Sequence, residues 1–433
     1  NVFQKLEYLS VDWRYALRQF DDPLQHEDLV IIGVDETGLK LKKQTGFGRW
    51  PWPRSTHGQL LDLLKTKDPK VVSFDFLFTE SDTNENDAEF GNAMKKIDYV
   101  ITGAMSDKDK AIIETFEDLK NADSFKRITE EFAGFINILE RWFIYDQLIG
   151  EPLDKNRSSA ASMYQNIKGG FEEALQSETE EEFREYLLGI IGFFGELSKN
   201  PKVKNICEEI VEKESIKDIR EGIINFLLEY TTPIEFLGKT KPVTNIIGDK
   251  TKIDAANFSL FPVRELTQQG FIGFVNAEPN PIDGIRRKLP MLVRSGNYFI
   301  PSLVAQMVMK FYDVKAEDVE VRLGEKMIFK GKNKEIIIPI DEGAYYNINY
   351  RKLGNFSSYP YSQITKALAN EKINEVAWPE KYPELNQKAL LIGQVASGLS
   401  DLGPLPNVAK AGLMFVHANA FNNILKNDHL KFS

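Results

Sequence analysis

The sequence predicts an α/β fold: a mixed, largely parallel sheet flanked by helices, with an inserted all-helical module. Three observations lead there. Apolar runs of strand length alternate with helix-spaced segments over the first hundred residues. The period then becomes purely helical from about residue 107 to about residue 230, and strand-like runs return after Pro242. The expected boundaries are 1–106 for the first half of the sheet domain, 107–240 for the helical insertion and 241–433 for the second half.

Asp28 to Glu36 (DLVIIGVDE) is an apolar run ending in two carboxylates and reads as a buried strand. Pro53 to Thr66 has helical spacing, with Arg54 and Ser55 opening it and a proline at its start, where one is tolerated. Lys70 to Phe78 (KVVSFDFLF) is a second buried strand, Asp87 to Lys96 a second helix and Tyr99 to Met105 a third strand. Strand, helix, strand, helix, strand implies right-handed crossovers and parallel pairing. Between the sheet halves, segments such as FAGFINILERWFIYDQLI carry helix-spaced apolar residues, and turn signals divide the region into three to six helices. Gly270 to Phe311 reads as strand, turn, strand, turn and a helix from Pro301 or Ser302. A hairpin (GEKMIFKGKNKEIIIPIDEG), a strand (AYYNINYR), an apolar strand at Lys388 to Gly398 and a closing helix at Val416 to Leu425 complete the chain.

Composition limits the function classes. There are 54 basic and 64 acidic residues, with no dense basic run, which argues against nucleic acid as a partner. The single cysteine, Cys207, excludes an intrachain disulfide and leaves the compartment open. No apolar run approaches the ~20 residues of a membrane span, and no signal peptide is visible. The chain starts at Asn1 and reads as an excised piece. The histidines, His26, His57, His417 and His429, show no metal-ligand spacing, so no metal and no cofactor is expected.

Carboxylates carry the first candidate site. Asp35 and Glu36 end one strand and Asp75 lies inside the next, and in parallel sheets the carboxyl ends of the strands form the binding crevice. They either hold a charged ligand or serve the structure, Asp35 capping the following turn and Asp75 accepting hydrogen bonds or pairing with a cation. A buried charge needs a partner, and Arg54 and Arg49 are the nearest in sequence. Arg286 and Arg287 follow the turn dipeptide Asp283-Gly284. They either grip an anion, lie solvated on a hairpin, or pair with Asp35 or Asp75. The loop GQVASGLSDLGPLPN places Asp401 after a strand but lacks the Lys-Ser/Thr of a phosphate-binding P-loop. In GRWPWPRSTHGQLL, Pro51 and Pro53 stiffen the backbone. Trp50 and Trp52 then pack on either side, one inward and one toward the crevice, and His57 follows Arg54 on the same helix face as a hydrogen-bonded helix residue. The candidate crevice therefore comprises Asp35, Glu36, Trp52, Arg54, His57, Asp75, Arg286, Arg287 and Asp401.

In order, the segments DWRYALR (Asp12 to Arg18), VIIGVDETGL, RWPWPRSTHGQLLDLL, KVVSFDFLFTE, GFVNAEPNPIDGIRRKLPM, Tyr298 to Leu303, LLIGQVASGLSD and VHANAFNNIL resemble the second type of CHASE domain. These are the cyclase- and histidine-kinase-associated sensory extracellular domains. The resemblance covers both sheet halves, and the helical insertion departs from the shorter joint usual in the family. It implies an extracytoplasmic sensor tethered by flanking membrane helices, with a cyclase or kinase output. It also implies a homodimer responding to an unknown small-molecule or protein signal, with no catalytic residue in this chain. Helices at Asn1 to Phe20 and Val416 to Phe432 would be the output struts. Two other readings start from the same residues: a metal-assisted hydrolase using Asp35, Glu36 and Asp75, and a protein-interaction module docking through the insertion.

Overall fold

A computed structural model of the chain describes residues 2–17, 25–40, 47–107, 241–255, 257–260, 262–295, 298–332, 334–396, 401–406 and 408–430, with residues 169, 170, 172, 173 and 176. The chain divides into two compact units, Asn1–Ile112 with Phe236–Ser433, and Ile113–Glu235. The five positions described in the second unit are helical. Its other expected helices lie outside the described residues.

The first unit begins with helix α1 (Val2–Leu17), strand β1 (Leu29–Val34), the short helix α2 (Glu36–Lys40), α3 (Arg54–Leu64), β2 (Val71–Leu77), α4 (Asn84–Met94) and β3 (Val100–Asp107). The second half adds β4 (Asn245–Ile247), β5 (Asn257–Leu260), α5 (Arg264–Thr267), β6 (Phe271–Phe274), β7 (Lys288–Pro290), β8 (Leu292–Ser295), β9 (Tyr298–Pro301) and α6 (Leu303–Phe311). Then come β10 (Val319–Arg322), β11 (Lys326–Lys330), β12 (Glu335–Pro339), β13 (Tyr345–Asn347), β14 (Ser358–Pro360), α7 (Tyr361–Asn374), β15 (Ala389–Gln394), β16 (Leu402–Leu405), β17 (Val408–Gly412) and α8 (Met414–Lys426).

The main sheet runs β14-β1-β15-β2-β3-β6, and every neighbouring pair in it is parallel. β5 pairs antiparallel with the far end of β3. Strand β15, from the second half, lies between β1 and β2 of the first, so the two sequence halves build one sheet. Both faces are covered, which is why β1 and β15 are uninterrupted apolar runs rather than alternating ones. Val30, Ile32, Val72, Phe74, Leu390 and Ile392 pack against α3, α4 and α7. The alternate residues Leu29, Ile31, Val71, Ala389 and Leu391 pack against α6 and α8. Each large side chain so buried contributes roughly 1.5–3 kcal/mol.

Local signals set the helix starts. Thr83 caps α4 by accepting from the Asn86 amide (3.1 Å), and Ser302 caps α6 by accepting from Ala305 (3.2 Å). Pro53 stands just before α3, and Asp82 Oδ2 accepts from the Arg54 amide (2.8 Å) in place of a cap from Pro53. The helix α1 ends at Leu17 in the described residues, and α8 covers Met414–Lys426, shorter than the expected strut to Phe432 because Asn427 turns left-handed (φ 51). The β11–β12 hairpin forms as expected. The Asp283-Gly284 turn also forms, with Gly284 at φ 76. Its flanking strands do not pair with each other: β6 adds to β3 and β7 joins β13, so the hairpin reading of Arg286 and Arg287 is corrected.

Candidate functional site

The nine candidate residues separate onto different parts of the fold. Trp52, Arg54 and His57 lie on the α3 side of the sheet. His57 sits among the rings of Phe74, Phe76, Phe78 and Phe90, and its Nδ1 meets Tyr361 Oη at 3.1 Å. Burial pushes its pKa down to about 3, so the ring is neutral. Trp52 is buried against Phe47, Trp50 and Tyr361, and Trp50 leans on Phe76. Both tryptophans thus enter one aromatic cluster rather than opposite sides.

Arg54 is not the partner of Asp35 or Asp75. It donates to the Glu80 carbonyl (3.0 Å), stands 3.7 Å from Asp87 and covers the Phe78 ring, tying the β2–α4 loop to the start of α3. Arg49 is exposed. Asp35 accepts from the Gly38 amide (2.9 Å) and so caps α2, whose first residue is Glu36. Arg287 pairs with neither Asp35 nor Asp75. Its guanidinium forks onto Asp12 of α1 (Nε–Oδ1 2.9 Å, Nη2–Oδ2 2.6 Å) and onto Asp283 (Nη1–Oδ1 3.1 Å, Nη2–Oδ2 2.9 Å), with Tyr8 stacked on it. This is a clasp on the N-terminal helix, built from the geometry that favours arginine over lysine.

Asp75, Asp401 and Arg286 do converge, together with His417, which sequence reasoning had left as an isolated histidine. Asp75 has the pleat parity of Val71 and Ser73, so it points to the α8 side. The β2–β3 register breaks between Phe74 and Leu77, and Asp75 lies in that irregularity, a common place to re-aim a side chain. Gly103 permits it, since a Cβ there would stand 2.9 Å from the Phe76 carbonyl oxygen. Asp75 Oδ1 faces His417 Nε2 at 3.8 Å, both side chains deeply buried. Burial raises the Asp75 carboxyl to about 7. Burial raises Asp401 to about 6, with the Asp75 charge adding and His417 and Arg286 opposing. Burial lowers His417 to about 4, against the pull of Asp401 and the Val275 main chain. Arg286 donates from Nε to the Ala277 carbonyl (2.6 Å), and its guanidinium lies over Gly403, where a Cβ would stand 2.5 Å from Nη1.

The arrangement can hold protons or a small polar partner at the carboxyl ends of the strands. Asp35 and Asp75, the acids of the hydrolase reading, serve different elements, and among the described residues no group of three or more His, Cys, Asp or Glu side chains is placed to hold a metal. Two surface hollows lie elsewhere, one of about 390 Å³ between α7 and the loop after it, one of about 190 Å³ at the amino ends of β2 and β3.

Among the described residues, no helix is long and apolar enough to cross a membrane. No match was found among curated proteins or among solved structures. A family model, the CHASE2 domain, matches residues 1–432, and its span includes the whole helical insertion. The chain therefore belongs to the CHASE2 family of extracellular sensory domains of signalling proteins.

Proposed function

We propose that the chain is the signal-sensing part of a bacterial membrane receptor, acting as a homodimer tethered by flanking membrane helices. It passes conformational change through both ends to an intracellular nucleotide cyclase or, as the second choice, a histidine or serine/threonine kinase. The observation that carries this reading is that both ends of the chain fasten to one short segment. Tyr15 of α1 donates to the Ile348 carbonyl (2.8 Å) and packs edge-on against Tyr350. The Ile348 amide donates to the Arg287 carbonyl (3.0 Å), next to the α1 clasp. Beyond α8, Asp428 accepts from Asn349 Nδ2 (3.1 Å) and pairs with Arg351, while His429 Nδ1 meets Tyr346 Oη at 3.0 Å. A displacement of residues 346–351 is thus felt at both ends at once.

A signal, small molecule or protein, acts by binding one arrangement of this segment better than another; equal affinity for both would shift nothing. Asp35, Glu36, Trp52, Arg54 and His57 then serve as scaffold, and Asp75, Asp401 and Arg286 are the residues closest to a sensing role. The test uses the receptor that contains the chain. Arg287→Ala and Asn349→Ala, each of which loosens one end, should change basal cyclase or kinase output several-fold. Unchanged output from both variants, with the domain folded, would remove the two-ended mechanism.

A further inference from the structure

We propose that Asp75, His417 and Asp401 form a buried proton-binding site whose charge is read by Arg286 and passed, through the adjacent Arg287, to the docking of α1. The sensor reading supplies only its physiological use; the coupling itself is internal to the chain.

Four groups face the site from the elements packed on it: Asp75 from β2, His417 from α8, Asp401 from the segment before β16, and Arg286 from the loop before β7. Tyr350 stands beside the two arginines, and its buried phenol is pushed far above its ordinary range, so it stays neutral. Asp75 is the centre. Its side chain is 7% exposed, and among the described residues His417 at 3.8 Å is its only ion-pair partner and no hydrogen bond reaches its carboxylate. An ionised carboxylate in that position is costly without a nearby cation. His417 resists becoming that cation because it is itself buried. Among the described residues Arg286 is the other cation at the site, and its one side-chain hydrogen bond there goes to the Ala277 carbonyl.

The proton balance follows. In acid, Asp75 and Asp401 each hold a proton, the cluster is neutral and Arg286 stays on Ala277. As pH rises, both carboxyls release their protons to solvent, the cluster becomes negative, and Arg286 is drawn toward Asp401. Arg287 is the next residue along the chain, and its carbonyl holds Ile348 while its guanidinium holds Asp12. A main-chain shift at Arg286 therefore disturbs the alignment of the fork that fastens α1. The docking of α1 is tighter in acid and looser in base.

Hydrogen exchange of the α1 amides in the whole chain, corrected for the intrinsic effect of pH, tests this. Opening of α1 should be about tenfold more frequent at about pH 8 than at about pH 5, a difference on the scale of one carboxyl titration. Asp75→Asn with Asp401→Asn, and separately Arg286→Gln, should remove the difference while circular dichroism remains that of the parent. Equal protection at both pH values, or a difference that survives those variants, overturns the proposal. Should the double variant not fold, carbon-13 NMR titration of the parent decides: the coupling is refuted if both aspartates titrate below about pH 4.5, in the ordinary carboxylate range. No membrane or output domain enters these measurements, so their failure leaves the receptor reading standing.

Discussion

Arg287→Ala should undock α1 before it affects anything else. Four N–H···O contacts from one guanidinium reach two carboxylates. The side chains are 8% exposed for Arg287, 13% for Asp12 and 23% for Asp283. That is too buried for the ~0–1 kcal/mol of a surface pair, and too open for the full 3–5 kcal/mol or so of a charge stranded in the interior. The loss should therefore be about 2–3 kcal/mol. Part of it arises because Asp12, itself nearly buried, loses both bonds of its fork with Arg287. Among the described residues, Tyr8, Asp12 and Tyr15 fasten helix α1 to the rest of the unit. The change should appear first as faster exchange of its amides, and only then as a lower urea midpoint. Asp12→Asn, which keeps the volume and one acceptor, should cost less. A double-mutant cycle between the two positions should give a coupling of about 1.5–3 kcal/mol. Additive effects, or a loss below about 0.5 kcal/mol for Arg287→Ala, would show that the fork does not hold the helix.

Two further perturbations probe the two faces of the sheet. The Asp75 carboxyl moves from 3.8 to about 7 on folding, so the folded chain holds that proton more tightly than the unfolded one. Its contribution to stability is complete below about pH 4 and is lost as pH rises through about 7. Asp75→Asn should therefore flatten the stability–pH profile over that window, by up to about 4 kcal/mol at about 1.4 kcal/mol per pH unit. Urea melts at several pH values read this directly, and an unchanged slope would refute the burial argument. On the other face, Tyr361→Phe removes the hydroxyl that meets His57 Nδ1 and leaves a buried ring nitrogen unpaired. The expected cost is about 1–3 kcal/mol in thermal or urea unfolding, and no loss would mean that the contact carries no weight.

How much of this was legible in the sequence depends on the range of the interaction. The strands β1, β2, β3 and β15 announce themselves because burial on both faces leaves uninterrupted apolar runs, and helices α3, α4, α6 and α8 because their apolar residues recur at helical spacing. Strand order is different in kind. Nothing local says that β15 slots between β1 and β2, because that choice is made by packing between residues more than three hundred positions apart. The site suffered from the same blindness. Arg54 is near Asp35 and Asp75 in sequence, and a pairing among them was the natural expectation. The pleat puts Asp75 on the α8 side and Arg54 on the α3 side, so neighbours in sequence are held apart by the sheet itself. His417 was visible only as a lone histidine in a helix of small, apolar and amide side chains. Its setting in FVHANAFNNIL was the one available signal, since a helix with both faces buried has no ordinary place for an imidazole.

The contacts that matter most join the first half of the chain to the second. Asp12 meets Arg287, His57 meets Tyr361, and Asp75 meets His417. In each, one residue lies before the insertion and its partner after it, and in the first a charged group would be left buried alone if its partner were absent. Burying an unpaired charge costs more than a good pair returns, so these links act less as sources of stability than as conditions on assembly. The halves must meet in one register for all three to be satisfied. The adjacent arginines give this its functional edge: Arg286 faces the buried acids and Arg287 holds the N-terminal helix, and a single peptide bond joins them. Under the proposed coupling, the charge of the buried acids and the docking of α1 act on the same short stretch of backbone.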